Sequence, residues 1–280
     1  MTEHLPMSRR GVVMAGAAVA ATAGLGTTPA SAARRDDPGH GHDRPLVILV
    51  HGAFADGSSW GPVIRRLQRA GHPVRSVANP LRGLAADAAH LRSVLASLTG
   101  PVVLAGHSYG GAVITEAAAG AANVKALVYV AAFMPDAGEV LGELAARFPG
   151  SELQAALTAV PAPAPDGSAG ADLCIRQDRF RHVFAADVPE PTARLLAAVQ
   201  RPLAATAFTD RATTAAWHGI PSWVLVTTRD RGIPPRLQRF QAARARARTV
   251  GVDSSHLPLY SHPGDVARLI QAAAHTVTPA

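Results

Sequence analysis

Ser108, Asp230 and His256 lie far apart in the chain, yet their types, order and local settings suit acyl transfer. Ser108 sits in Gly106-His107-Ser108-Tyr109-Gly110, between the apolar run Val102–Ala105 and a helical pattern that opens near Gly111. In that strand–turn–helix setting a G-x-S-x-G string describes a nucleophile elbow, a turn so sharp that the serine hydroxyl stands clear above the sheet. Gly106 and Gly110 flank the serine because side chains two positions away would collide with the neighbouring elements. The helix that follows aims its first amides at the site and favours negative charge developing on a substrate.

A serine hydroxyl at its ordinary pKa is a poor nucleophile. A histidine must take its proton, and a carboxylate must orient the histidine. Of the twelve histidines, His256 follows the last strand pattern, within Val252-Asp253-Ser254-Ser255-His256, and is the candidate base. His72 and His90 read as surface positions, His182 and His218 belong to an inserted segment or its exit, and His262 starts the final helix. For the acid, Asp230 directly follows the strand pattern Trp223–Thr228, and Asp136, just beyond Val124–Ala131, is the runner-up. Asp253 is too near the histidine along its own loop and reads as a turn cap. Two backbone amides must hold the developing oxyanion. One is expected from Tyr109, after the nucleophile, and the other from Ala53 in His51-Gly52-Ala53-Phe54 at the exit of the first strand. That stretch also fits an ordinary strand-to-helix turn, with His51 as a buried, hydrogen-bonded histidine.

The elements that must position these groups alternate. Leu46–His51, Val74–Val77, Val102–Ala105, Val124–Ala131, Trp223–Thr228 and Thr249–Val252 are almost uniformly apolar, as parallel strands covered on both faces should be. Helical spacings run through Ser59–Arg69, Leu84–Leu98, Gly111–Ala119, Pro235–Arg244 and Gly264–Ala274. This alternation predicts an α/β fold: a six-stranded, mostly parallel sheet flanked by helices. Between Ala132 and Trp217 no strand pattern is found, so 136–216 is expected to be a helical cap inserted after the fourth strand, with 45–135 and 217–280 as the core. Apolar cap residues, among them Phe180, Phe184 and Phe208, are expected both to form a small satellite core and to roof a substrate pocket.

With 280 residues, 48% hydrophobic and 17% charged, the chain can bury one large core. The net charge of +7 raises the question of nucleic acid, but the arginines are scattered, Lys125 is the only lysine, and no nucleic-acid motif accompanies them. Arg244, Arg246 and Arg248 mark a helix end leading into a strand, where cations suit the helix dipole. The single cysteine, Cys174, has no intramolecular partner for a disulfide. His40 and His42 lack a third ligand and read as solvated. Ser8-Arg9-Arg10, the apolar stretch to Gly26 and Ala30-Ser31-Ala32 resemble a twin-arginine export signal. The expectation is passage through the twin-arginine machinery and cleavage after Ala32. A flexible lead-in would then span 33–44, and the mature protein would lie outside the cell or in its envelope. The oligomeric state is left unassigned.

Together these motifs resemble the α/β-hydrolase superfamily from Leu46 to Ile270. They are most similar to the branch of plant-type methyl esterases, hydroxynitrile lyases and bacterial carboxylesterases. His51-Gly52-Ala53 with Trp60, Asn79-Pro80-Leu81, the elbow and Asp230 followed by Ile233-Pro234 carry the resemblance. It implies a Ser108–His256–Asp230 triad, an oxyanion hole from the Ala53 and Tyr109 amides, and no metal or organic cofactor. Hydroxynitrile lyases of this branch carry threonine after the strand-end histidine and lysine after the catalytic histidine, where this chain has Gly52 and Leu257. Cyanohydrin cleavage is therefore disfavoured. A dehalogenase would need aspartate in place of Ser108. The expected activity is hydrolysis of small or medium carboxylic esters through an acyl-enzyme. A lactonase, a lyase acting in the same pocket and a noncatalytic small-molecule binder are the alternatives.

Overall fold

In chain order the strands are β1 (Leu46–Val50), β2 (Val74–Val77), β3 (Val102–His107), β4 (Val124–Val130), β5 (Leu157–Pro163), β6 (Ala169–Ile175), β7 (Leu203–Ala204), β8 (Ser222–Thr227) and β9 (Arg248–Val252). They belong to a computed structural model that describes residues 44–164 and 167–277. The twin-arginine stretch, the Ala32 cleavage position, His40, His42 and the lead-in up to residue 43 lie outside the described residues. β1–β4, β8 and β9 form one sheet in the order β2-β1-β3-β4-β8-β9, and every pairing in it is parallel. β3 and β8 are buried along their whole length, which is why they carry no polar alternation, whereas the edge strand β9 is largely exposed.

The helices are α1 (Gly61–Arg69), α2 (Leu84–Ala96), α3 (Tyr109–Ala117), α4 (Leu141–Ala146), α5 (Leu153–Ala156), α6 (Gln177–Phe184), α7 (Glu190–Ala198), α8 (Pro235–Arg244), α9 (Pro258–Ser261) and α10 (Pro263–Ala274). α1 packs with α10 and α2 with α3, and α3, α8 and α10 lie against the strands. The strand order reverses between β1 and β3, which pair with Val50 opposite Gly106. Such a reversal opens a crevice beyond the carboxyl ends of the strands, where ligands bind in open α/β sheets. The β1 and β3 exits, carrying Ala53 and Ser108, border this crevice.

The insertion after β4 is not wholly helical, contrary to expectation. α4 to α7 are joined there by a three-stranded antiparallel sheet, β5-β6-β7. Its strands escape pattern reading for a physical reason. β5 contains Pro161 and Pro163, which have no N–H to donate and are tolerated because β5 is an edge strand. β6 opens with Ala169, Gly170 and Ala171, residues of low strand propensity. His72 also departs from expectation: it is buried, its ring tilted against His275 at a centroid distance of 6.3 Å. Among the described residues, no helix is long and apolar enough to cross a membrane.

Candidate active site

Ser108 joins β3 to α3 with φ 53° and ψ −123°, a sparsely populated conformation that only surrounding structure can enforce. The enforcement comes from close packing. A Cβ at Gly106 would lie 2.5 Å from the carbonyl oxygen of Gly110, and one at Gly110 would lie 2.5 Å from that of Val50. The Ser108 amide donates to Val130 O at 3.2 Å, and its carbonyl accepts from Gly111 N at 3.0 Å and Phe133 N at 3.1 Å. The turn is thus tied to β4 and its exit as well as to its own helix.

The Ser108 Oγ lies 2.8 Å from His256 Nε2, and His256 Nδ1 lies 2.7 Å from Asp230 Oδ2. A carboxylate oxygen only accepts, so the hydrogen bonds assign the proton to Nδ1 and leave Nε2 as the acceptor for the serine hydroxyl. All three residues are buried. Asp230 accepts five hydrogen bonds: from His256, Thr227 Oγ1 (2.9 Å) and Gln238 Nε2 (2.8 Å) at Oδ2, and from Gly232 N (2.7 Å) and Ile233 N (2.9 Å) at Oδ1. A carboxylate this heavily coordinated is held in one orientation and can hold the imidazole in turn. Such an array can take a proton from the serine as its oxygen bonds to carbon, then return it to a leaving group.

Asp136, the other candidate acid, is not brought to this array. Its Oδ1 lies 2.9 Å from His218 Nε2 and accepts from Ala137 N at 2.8 Å. Asp253 does not cap its turn through its carboxylate; it is exposed and takes Thr228 Oγ1 (3.1 Å) and the Arg229 guanidinium (2.7 Å).

Ala53 and Tyr109 line one cavity with Ser108 and His256. Tyr109 is the first residue of α3, whose leading amides have no carbonyl partner within the helix. The Ala53 loop is held by His51: Asn79 N donates to His51 Nε2 at 2.9 Å, and His51 Nδ1 donates to Gly52 O at 2.9 Å. His51 is therefore neutral here, and burial lowers its pKa, consistent with that form. Phe54, next along, has φ 59°, so the loop is strained as well as buried. A Cβ at Gly52 would stand 2.7 Å from the Ser108 Cβ, so this backbone does not admit the threonine that the lyases carry.

His107 is fully buried beside Ser108. Its Nε2 donates to the His256 carbonyl oxygen at 2.9 Å, and burial, with the nearby His256, pushes its pKa down to about 3. The cavity over Ser108 is narrow, about 10 Å³, and adjoins a larger one of about 240 Å³ beneath α4 and α5. Phe133, Leu153, Phe208 and Gly232 border both. Among the described residues, no Asp, Glu, Lys or Arg side chain lines either. Thr227 and Gln238 hold Asp230 yet carry no local sequence signal beyond polar residues on otherwise buried elements. Asp187, which reaches the histidine loop from the cap, carries none.

A model described as the alpha/beta hydrolase family matches residues 47–269. The chain is 36% identical over 107 residues to a carbendazim hydrolyzing esterase of Nocardioides sp. (strain SG-4G), a match covering 34% of this chain and 44% of that relative. It is 26% identical over 253 residues to an α/β hydrolase of Aspergillus novofumigatus (strain IBT 16806), covering 82% of this chain and 97% of that relative. Among solved structures, a methylesterase from Arabidopsis matches with a TM-score of 0.70 at 20% identity, covering 83% of this chain and all of the other. A likeness at that identity shows a shared fold.

Proposed function

The chain belongs to the alpha/beta hydrolase family, and from that premise we propose that it hydrolyses uncharged, largely apolar carboxylic esters through an acyl-enzyme on Ser108. The observation that carries this reading is the unbroken hydrogen-bond chain from Ser108 Oγ through His256 to Asp230 at the floor of a cavity without charged walls. Ser108 Oγ attacks the ester carbonyl carbon while its proton passes to His256 Nε2. The carbonyl oxygen becomes an oxyanion held by the Ala53 and Tyr109 amides. Collapse breaks the bond to the alcohol oxygen, which leaves with the proton from His256. Water then gives a proton to the same nitrogen and attacks the acyl carbon, and the carboxylic acid departs as Ser108 regains its hydrogen. Asp230 keeps Nδ1 protonated throughout, while Nε2 alternates between lone pair and N–H.

The uncharged walls favour a neutral substrate, because a buried carboxylate or ammonium without a partner would be costly to desolvate. One arm of the ester would extend past Phe133 and Phe208 into the cavity beneath α4 and α5. We propose in addition that the protein acts after twin-arginine export, on the strength of Ser8-Arg9-Arg10 and the small residues ending at Ala32.

The test is Ser108→Ala. Turnover of a p-nitrophenyl acyl ester should vanish while the circular dichroism spectrum and melting temperature stay near those of the parent. A fluorophosphonate should label the parent at Ser108 and leave the variant unmodified. Undiminished turnover in the variant would remove Ser108 from the chemistry. An unlabelled, folded parent would favour a protein that only holds its ligand.

A further inference from the structure

The triad as described fixes the imidazole ring of His256 but not the backbone that carries it. That backbone lies in a loop beyond β9, an edge strand, and a base on such a loop keeps its ring within reach of Ser108 only if the loop is pinned. The exit of β8 holds the loop ahead of Ser255, Arg229 N donating to Ser254 O at 3.0 Å, and two further contacts reach Ser255 and His256 themselves. From the core, His107 Nε2 donates to the His256 carbonyl oxygen. From the cap, Asp187, 68 residues away in sequence, receives the backbone amide of Ser255 at Oδ2 (3.1 Å) and the Ser255 hydroxyl at Oδ1.

Asp187 follows the end of α6 by three residues, and the same short segment reaches His256 a second time. The ring of Phe184, the last residue of α6, stands against the His256 ring with centroids 4.8 Å apart and planes at 60°. One turn of the cap therefore touches both the ring of the base and the peptide just before it. The Ser255 side chain is buried, so its amide and hydroxyl would lack partners without the carboxylate. The cations that share a groove with Asp187 are engaged elsewhere: Arg229 with Asp253, and Arg231 with Glu152 and His182. The carboxylate's work is thus on the histidine loop and not in a surface ion pair.

We propose that Asp187 is a positioning residue for the reaction: by holding the Ser255 amide and hydroxyl from the cap, it sets the backbone at His256 so that Nε2 meets the Ser108 hydroxyl. The base is then assembled jointly by the core, through Asp230 and His107, and by the cap, through Asp187 and Phe184. Displacing the cap disengages one side of the base as well as uncovering the cavity. The inference rests on the reading of Ser108 and His256 as nucleophile and base.

The experiment compares Asp187→Ala, Asp187→Asn and Ser255→Ala with the parent in the full chain. It measures kcat and KM on a p-nitrophenyl ester, the rate of fluorophosphonate attachment to Ser108, the low-field proton resonance of His256 Nδ1–H, and the melting temperature. A shift of the base on the scale of an ångström lowers kcat and the labelling rate by about 10²-fold in Asp187→Ala, with KM little changed. The Nδ1–H resonance should move or broaden in the same variant. Asp187→Asn keeps one acceptor oxygen and should recover much of the loss, and Ser255→Ala, which keeps the amide donor, should fall between. If Asp187→Ala does not fold, the other two variants decide by the same readouts. Parent-like kcat, labelling rate and resonance in variants with lowered melting temperatures would overturn the proposal and leave Asp187 a structural clamp. A parent that fluorophosphonate does not label would instead overturn the reading of Ser108, whatever the Asp187 variants do.

Discussion

Replacing Asp230 by asparagine exchanges one acceptor oxygen for an amide, and the two possible orientations of that amide can be weighed from the contacts. With its NH2 in the Oδ1 position, the amide faces the Gly232 and Ile233 N–H groups, which now contact its oxygen at 2.7 and 2.9 Å. Two buried backbone donors would lose their acceptor, at about 1–3 kcal/mol each. With its NH2 in the Oδ2 position, the backbone donors keep their oxygen and the remaining partners can adapt. The Thr227 hydroxyl rotates toward Gln238 Oε1, already 3.4 Å away, and Gln238 Nε2 retains the Ile233 carbonyl at 2.8 Å. His256 adapts by moving its proton from Nδ1 to Nε2. The second orientation therefore prevails, and it presents an N–H to Ser108 where a lone pair is required. A base in the wrong tautomer lowers kcat by about 10⁴-fold, or about 5 kcal/mol of transition-state stabilisation. The assay is steady-state hydrolysis of a p-nitrophenyl ester, alongside thermal unfolding to show that the variant is folded. Asp136→Asn serves as the comparison, because Asp136 is engaged with His218. A loss of less than about tenfold in Asp230→Asn, or a larger loss in Asp136→Asn, would refute the assignment of the acid.

Stability should fall in acid partly because of His107. Its pKa is held at about 3 in the fold against an ordinary 6.5, so below pH 6.5 the unfolded chain takes up a proton that the folded one refuses, and stability drops as pH falls through that window. The slope from this one group approaches about 1.4 kcal/mol per pH unit. His107→Gln should flatten the pH dependence of the urea-unfolding free energy by about one proton between about pH 4 and 6, leaving the contributions of His51 and His72, whose pKa values burial also lowers. An unchanged slope would show that His107 is not buried in neutral form. For export, replacing Arg9 and Arg10 by lysine should leave the uncleaved chain inside the cell, whereas the parent should be released with Ala33 at its amino terminus. Equal release of both would rule out the twin-arginine route.

Legibility in the sequence followed how local each constraint is. β3 and β8 are readable because burial on both faces removes polar residues from contiguous runs, and the elbow because its geometry demands glycine at two fixed positions around one serine. The cap sheet is not readable, because β5 and β6 hold each other by backbone pairing that tolerates proline and alanine at an edge. The sequence favours Asp230 over Asp136 but keeps Asp136 as a second candidate, since each follows a strand of the central sheet. Their roles separate only once each carboxylate's partners are seen, one turned to His218 and the other to His256.

The same distinction accounts for the supporting residues. Gln238 reaches back eight positions to Asp230, His107 reaches 149 positions to the His256 carbonyl, and Asp187 reaches 68 to Ser255. None needs a special backbone conformation or a repeated spacing, so none leaves a motif. A G-x-S-x-G string therefore identifies where a nucleophile is held, while whether its base is in register depends on pairings that only the folded topology creates. For this chain those pairings come from two parts of the fold. The core contributes Asp230, Gln238 and His107 from the parallel sheet and the helix packed on it, whereas the cap contributes Asp187 and Phe184 from an insertion of short helices and a three-stranded sheet. Substitutions that loosen the cap should therefore reduce the rate of chemistry at Ser108 before they unfold the sheet, and the cap, which borders the cavities, links substrate fit to the placement of the base.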